Sequence, residues 1–280
     1  MAKVYEALRR AEEQRKRRVG DESAPGAPLD APPPLETPRA TREPLWTRLA
    51  ASWRRRTGEH AGEINKRRIS MLQPDSYVAE QFRALRGRID ALAMQRPIRT
   101  LMVSSPLASE GKTTAAINLA AVTSMSVGRR VLLVDCDMRK PRVHQSLGLR
   151  PEAGLAEVLT EEVSLEQAIM KVEGMNLEVL AVRGRPSNPS ELLSSPKMRE
   201  LVEELASRYD RVILDTPAAL GVPDAKAVAE LCDGIVVVVR ADLTAQQDVE
   251  AALEILDRRR LLGLVLNGAE VERGRYGYTN

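Results

Sequence analysis

From residue 74 to about residue 270 the chain alternates short apolar runs with amphipathic stretches. The runs at 100–104, 131–135, 177–182, 212–215, 235–239 and 263–266 are rich in Val, Leu and Ile and too short for helices, so they read as buried strands. Apolar residues at helical spacing lie between them, near 77–94, 112–126, 188–208, 223–231 and 244–259. Strand followed by helix, repeated, predicts an α/β fold: a mostly parallel β-sheet sandwiched by helices, with right-handed crossovers. In such a sheet, ligands sit beyond the carboxyl ends of the strands. No internal repeat is visible.

Upstream the pattern breaks. Residues 1–18 read as a helix with a thin stripe of Val4, Leu8 and Ala11. Residues 20–44 hold seven of the 17 prolines and read as an extended linker. Residues 45–56 place Trp46, Leu49, Ala50 and Trp53 at helical spacing beside Arg48, Arg54, Arg55 and Arg56. The expected organisation is therefore an N-terminal extension (1–73), largely disordered or helical, then one domain (74–270) and a flexible tail (271–280).

Charge sharpens that division. The 280 residues carry a formal net charge of only +3. Residues 1–70, however, hold 16 Lys/Arg against 10 Asp/Glu, and the remainder hold 26 against 29. The basicity belongs to the extension, not to the domain. Two cysteines, Cys136 and Cys232, cannot form a disulfide framework or a thiolate metal site, which suits a reducing compartment. Eight aromatics, with a single Phe, argue against base-stacking platforms, so no nucleic-acid partner is expected. The apolar runs are too short to span a bilayer, and the start of the chain lacks a signal-peptide core, so a cytoplasmic location is expected.

The chemistry concentrates at strand ends. Between the run at 100–104 and the helix at 112–126 stands Ser105-Pro-Leu-Ala-Ser-Glu-Gly-Lys-Thr-Thr114. Gly111-Lys112-Thr113 is the end of a Walker A loop. The glycine lets backbone N–H groups converge on phosphate, the lysine reaches the outer phosphates, and the hydroxyl holds Mg2+. The full motif would place glycine at 106, where the chain has Pro106. A second run ends in Asp135-Cys136-Asp137, whose carboxylates, two apart, are predicted to share one face, with Cys136 turned away as a buried thiol. A third run, Val212-Ile-Leu-Asp215-Thr-Pro, releases one carboxylate as a Walker B strand does. Together the three elements predict nucleotide binding.

These residues resemble the bacterial tyrosine kinases of capsule and exopolysaccharide synthesis, deviant-Walker P-loop NTPases related to the Min and Par proteins. VLLVDCDMRKP (131–141) is similar to that family's additional Walker A′ sequence and VILDTP (212–217) to its Walker B. NPSELL (188–193), VVVRADLT (237–244) and GLVLNG (263–268) also resemble it, and the first residues look like the start of a subgroup linked to exopolysaccharide and exosortase systems. Two departures stand out. The family's P-G-E-G-K is here Ala108-Ser109-Glu110-Gly111-Lys112, which puts a serine where a positive φ is wanted. In place of a dense tyrosine cluster the tail carries only Tyr276 and Tyr278.

The resemblance implies a tyrosine autokinase using ATP and Mg2+. Ser109, Glu110, Gly111, Lys112, Thr113 and Thr114 would bind the nucleotide, and Asn267 would touch the adenine unless it only forms a turn. Thr113 and Asp215 would organise Mg2+, with Asp135 acting through water and Asp137 nearest the incoming hydroxyl. Tyr276 and Tyr278 would be the phosphoacceptors. Glu80, Arg83 and Arg86 fit the family's E-x-x-R-x-x-R self-assembly motif, which implies a homo-oligomer; their alternative is a solvated face with local ion pairs. Arg139 could equally form a helix-start ion pair, and His144 reads as structural. A transmembrane activator of the polysaccharide co-polymerase type would be a separate chain and would bring the protein to the inner face of the cell membrane. The Trp46/Trp53 segment could touch that membrane peripherally or dock within the chain. The rival readings are a Min/Par-type switch ATPase and a non-catalytic nucleotide-binding scaffold.

Overall fold

The computed structural model describes Gln73 and residues 75–269. The expected helix at 1–18, the proline linker, the Trp46/Trp53 segment and the tail tyrosines Tyr276 and Tyr278 lie outside the described residues.

Ser76 opens the described domain. Its hydroxyl accepts the Ala79 N–H and caps helix α1 (Tyr77–Ala93). Strand β1 (Thr100–Ser104) then leads into α2 (Lys112–Ser124) and β2 (Val131–Asp135). Short helices α3 (Val143–Leu147), α4 (Leu155–Leu159) and α5 (Leu165–Ala168) precede the hairpin of β3 (Ile169–Lys171) and β4 (Leu177–Leu180). Next come α6 (Pro189–Leu193), α7 (Pro196–Arg208), β5 (Arg211–Asp215), α8 (Asp224–Ala229), β6 (Gly234–Arg240), α9 (Gln246–Ile255) and β7 (Leu261–Asn267).

The sheet order is β3-β4-β2-β5-β1-β6-β7, with every pair parallel except β3–β4. All five residues of β1, β2 and β5 are buried. Alternate positions supply two cores, one on each face. Met102, Leu132, Val134, Leu214 and Val237 pack on the face covered by α4, α7, α8 and α9. Leu101, Val103, Leu133, Ile213 and Val236 pack under α1, α2 and α3. Helix α2 is buried nearly all round. Its Ala-rich sequence lets it lie between the sheet and α1, where Phe82, Leu85 and Leu92 close over it.

The predicted strands all form, with small shifts at their ends. The predicted helix over 188–208 divides at Ser194–Ser195. Pro196 has no N–H to continue a helix, and the Ser195 hydroxyl caps the new one by accepting from Met198 N. Helix α7 then buries Met198, Leu201, Val202 and Leu205, spaced to make one apolar stripe. Among the described residues no helix is long and apolar enough to cross a membrane.

Candidate active site

The order β2-β5-β1 brings three motif-bearing strand ends side by side at the carboxyl edge. From Ser104 the chain runs through residues 105–111 and enters α2 at Lys112. Gly111, at φ +100°, begins that helix without a side-chain cap. The N–H groups of the first turn and the positive end of the helix dipole are thus directed at the place where a phosphate belongs. Ser109 takes φ +68°, the left-handed conformation that the sequence comparison with P-G-E-G-K predicts for this position.

The loop is fastened from one side. Buried Glu110 accepts the Leu107 N–H through Oε2 at 2.8 Å and the Thr244 hydroxyl through Oε1. Asn267, at the end of β7, donates Nδ2 to the Glu110 carbonyl at 2.8 Å. A Cβ on Gly111 would stand 2.2 Å from that Nδ2, so glycine here is demanded by both φ and space. Asn267 is therefore a strut of the phosphate loop. Left-handed Gly268 follows directly after it.

The carboxylates come from β2 and β5. The parallel register sets Asp135 directly opposite Asp215, and both are 0 % exposed. The shared-face reading of Asp135 and Asp137 needs correction, because β2 ends at Asp135 and Asp137 lies in the following loop. The Cys136 N–H still donates to Asp215 O, but the chain then turns. Asp135 organises that turn: Oδ1 accepts Asp137 N at 3.1 Å, and Oδ2 accepts Arg142 N at 3.2 Å and Val143 N at 3.1 Å. Asp137 accepts Lys140 N through Oδ1 and the Lys112 ammonium through Oδ2, at 2.8 Å. Lys112 thus joins the two loops.

Burial pushes the Asp135 carboxyl well above the usual carboxylate range, and Asp215 beside it adds to the effect against the amide bonds that oppose it. Burial also works against the charge of Lys112, but Asp215, Asp137 and Asp135 outweigh it and hold its pKa above the ordinary lysine value. Three carboxyl groups face one ammonium in a buried place, so acidic groups outnumber basic ones there. That donor set, with the buried Thr113 in the first turn of α2, suits a hard divalent cation bound by oxygen. Mg2+ with a nucleotide fits these residues.

Beyond this centre, Arg139 grips the fully buried Asp224 with two hydrogen bonds, Nε to Oδ2 at 2.8 Å and Nη2 to Oδ1 at 3.1 Å. Its Nη2 also reaches Ser190 Oγ at 2.8 Å, and that hydroxyl donates to Asp224 Oδ1 at 2.6 Å. Asp224 is the first residue of α8, so the ion pair at a helix start expected for Arg139 is formed across the fold. Asp224 had no signal in the sequence, and Ser190 and Thr244, although inside the family-like stretches 188–193 and 237–244, had no role assigned to them. An acid opening a helix and hydroxyls near helix ends are common, and their partners lie 34 to 134 positions away.

Cys136 is a buried thiol whose pKa burial pushes well up. His144, on α3, has its pKa lowered by burial. On α1, Arg83 pairs with Glu80 one turn before it. Arg86 turns to its own chain and donates to Val122 O, near the end of α2, at 2.6 Å. Of the sequence-identified residues, residues 109–114, Asp135, Asp137, Asp215 and Asn267 gather at one edge, and the α1 residues lie apart.

A family model described as an AAA domain matches residues 103–261, more than half of the chain. Tyrosine-protein kinase YwqD of Bacillus subtilis is 39% identical over 213 residues, covering 75% of this chain and 90% of YwqD. The putative tyrosine-protein kinase CapB of Staphylococcus aureus is 31% identical, with 74% and 91% covered. Among solved structures, the kinase domain of the Escherichia coli tyrosine kinase ETK superposes with a TM-score of 0.69 at 31% identity, over 76% of this chain and 83% of that one. With the Walker A, A′ and B elements assembled at one sheet edge as these likenesses require, the chain belongs to the bacterial tyrosine kinases, enzymes built on the nucleotide-binding P-loop fold.

Proposed function

We propose that this chain is a Mg2+·ATP-dependent protein-tyrosine autokinase of exopolysaccharide or capsule synthesis that phosphorylates Tyr276 and Tyr278 of neighbouring copies. The observation that carries the reading is the buried opposition of Asp135 and Asp215 in register, next to a Lys112–Asp137 pair. A phosphate loop alone would serve any nucleotide-binding protein. A further carboxylate held beside its lysine supplies a proton acceptor as well.

Lys112 and the N–H groups of residues 109–114 hold the phosphates. Thr113 and Asp215 would hold Mg2+, and Asp135, with one acceptor site left after its three amide bonds, would support it through water. Mg2+ neutralises phosphate charge. Asp137 takes the proton of the tyrosine hydroxyl, whose ordinary pKa near 10 keeps it protonated at neutral pH. The hydroxyl oxygen then bonds to the γ-phosphorus as the bond to ADP breaks. Most of the acceleration comes from alignment and charge neutralisation.

The first turns of α1, with the half-buried Glu80 and Arg83, are the proposed assembly surface, while Arg86 is engaged within its own chain by Val122 O. A membrane activator on a separate chain accords with relatives of two lengths. The chain covers nine-tenths of YwqD but 27% of the putative tyrosine-protein kinase EpsB of Ralstonia nicotianae. The exopolysaccharide role rests on relatives such as the succinoglycan biosynthesis transport protein ExoP of Rhizobium meliloti, 36% identical over 215 residues.

Mass spectrometry of the C-terminal peptide after incubation with Mg2+·ATP tests the reading. Phosphotyrosine at 276 or 278 in the wild type, absent in Lys112→Met, is expected. ATP turnover without phosphotyrosine would replace it with a switch ATPase.

A further inference from the structure

The two loops that flank Asp215 are tied down on opposite sides. The phosphate loop is held through Glu110 to Thr244, beyond β6, and to Asn267, at the end of β7. The A′ loop, residues 136–142, has no contact of that kind with β6 or β7 among the described hydrogen bonds. Its outward tie is Arg139, which reaches α8 through Asp224 and α6 through Ser190. Arg139 stands two residues from Asp137, and the Lys140 amide that bonds to Asp137 is the next residue along. The anchor end of the pair is fully buried in Asp224, while the Arg139 side chain is 40 % exposed. A planar fork gripping both oxygens of an immobile carboxylate fixes direction as well as distance.

We propose that Arg139, Asp224 and Ser190 form a brace that positions Asp137 for the phosphoryl-transfer step, independently of the struts that hold the phosphate loop. The three are assigned as positioning residues, acting on the reaction through Asp137. The proposal rests on the kinase reading for its kinetic consequence, but its structural consequence stands alone.

Electrostatics support the arrangement. Burial works to raise the pKa of Asp224, and the bonds from Arg139 and Ser190 more than reverse it, so the carboxylate stays ionised while the brace is closed. Losing Arg139 leaves a buried carboxylate without its cation, which frees the A′ loop and strips its anchor of its purpose at the same time. Ser190 is bonded to both partners, so it sets the angle between them. Since the phosphate loop is held elsewhere, opening the brace should alter the rate far more than nucleotide affinity.

The test uses the full chain as wild type, Arg139→Gln, Arg139→Lys, Ser190→Ala and the double variant Arg139→Gln/Asp224→Asn. Autophosphorylation kcat and KM for Mg2+·ATP are measured, with affinity for a fluorescent ADP analogue and hydrogen exchange of peptides covering 136–143 and 105–114. Arg139→Gln should lower kcat at least tenfold, with KM and ADP-analogue affinity within twofold of wild type. Exchange across 136–143 should quicken at least tenfold while 105–114 is unchanged. Arg139→Lys, which keeps the charge without the fork, should recover part of the loss, and Ser190→Ala should lose two- to fivefold. The double variant should fall no further than Arg139→Gln, because the groups act as one unit. Unchanged kcat and exchange would overturn the brace. So would a matching loss of protection at 105–114 with a raised KM, since that describes general loosening. If Arg139→Gln does not fold at the assay temperature, Arg139→Lys and Ser190→Ala decide by the same readouts. A wild type that makes no phosphotyrosine sinks the kinase reading, and the exchange measurement then still decides the brace.

Discussion

Replacing Gly111 with alanine separates two demands that fall on one atom. At φ +100° an L-residue is strained by roughly 1–2 kcal/mol. The new Cβ would also stand 2.2 Å from Asn267 Nδ2 and 3.2 Å from its Cγ, so the side chain must swing away and give up its bond to Glu110 O. That bond contributes about 1 kcal/mol. The sum is roughly 2–3 kcal/mol, which in a domain of this size lowers Tm by about 4–12 °C. Thermal unfolding of the nucleotide-free protein, followed by circular dichroism, measures it. Asn267→Ala alone should cost about 1 kcal/mol. The double variant should be no less stable than Gly111→Ala, because the bond that Asn267→Ala removes is already broken there. The expected coupling is therefore about 1 kcal/mol, or about 2–4 °C. Additive effects of the two substitutions, or a Gly111→Ala cost below about 0.5 kcal/mol, would refute the strut assigned to Asn267.

Ser109→Gly should relieve left-handed strain at an exposed residue. After the extra freedom of glycine in the unfolded chain, a net gain of about 0.5–1 kcal/mol and a Tm about 1–4 °C higher is expected; a lower Tm would contradict it. Arg86→Ala removes a charged donor from Val122 O and should lower Tm by about 3–12 °C while leaving the oligomer's mass unchanged, whereas Arg83→Glu should reduce the mass in light scattering. Tyr209 donates its hydroxyl to Glu178 at 2.5 Å, and burial together with that bond raises its pKa. A raised folded pKa means that its stabilisation is complete below about pH 10, the ordinary tyrosine value, and is lost as pH climbs towards the folded one. Tyr209→Phe should abolish one late-titrating component in ultraviolet absorbance and flatten the alkaline fall in stability; a wild type whose five tyrosines all ionise together near pH 10 would disprove it.

The strands were legible because each is a run of Val, Leu and Ile long enough to stand out from its surroundings, and their order with the helices dictated the parallel sheet. What escaped was short. Helices of four or five residues, such as α3, α4 and α5, contain little more than one turn, too little for a period to register. The three residues of β3 pair antiparallel to β4 across a turn at Gly174, and nothing in Ile169-Met-Lys171 distinguishes an edge strand from the end of a helix. At the site, Lys112, Thr113, Asp135 and Asp215 were readable because local spacing fixes their chemistry. Asp137 was readable as a residue but not as a position. A period of two holds only while the strand lasts, and the amides drawn to Asp135 end it. Asp224 was silent, and Thr244 was marked only as the end of a family-like stretch, because their meaning lies in partners 85 and 134 residues away.

Asp215 occupies the central of the three strand ends, with the A′ loop on the β2 side and the phosphate loop on the β1 side. The two loops are anchored outward in opposite directions, one to α6 and α8, the other to the β6–α9 loop and β7. Among the described residues the one ion pair that joins them is Lys112 to Asp137. Nucleotide affinity and reaction rate are thus separable by substitutions on the two flanks, where each anchor governs its own loop. At Lys112 they are not. The same ammonium that we propose holds phosphate is kept charged, against its burial, by Asp215, Asp137 and Asp135. A substitution there would remove the proposed phosphate contact and at once leave buried carboxyl groups without their cation. Under the proposed kinase reading, Lys112 is therefore the position where binding, proton transfer and the stability of the nucleotide-free protein change together.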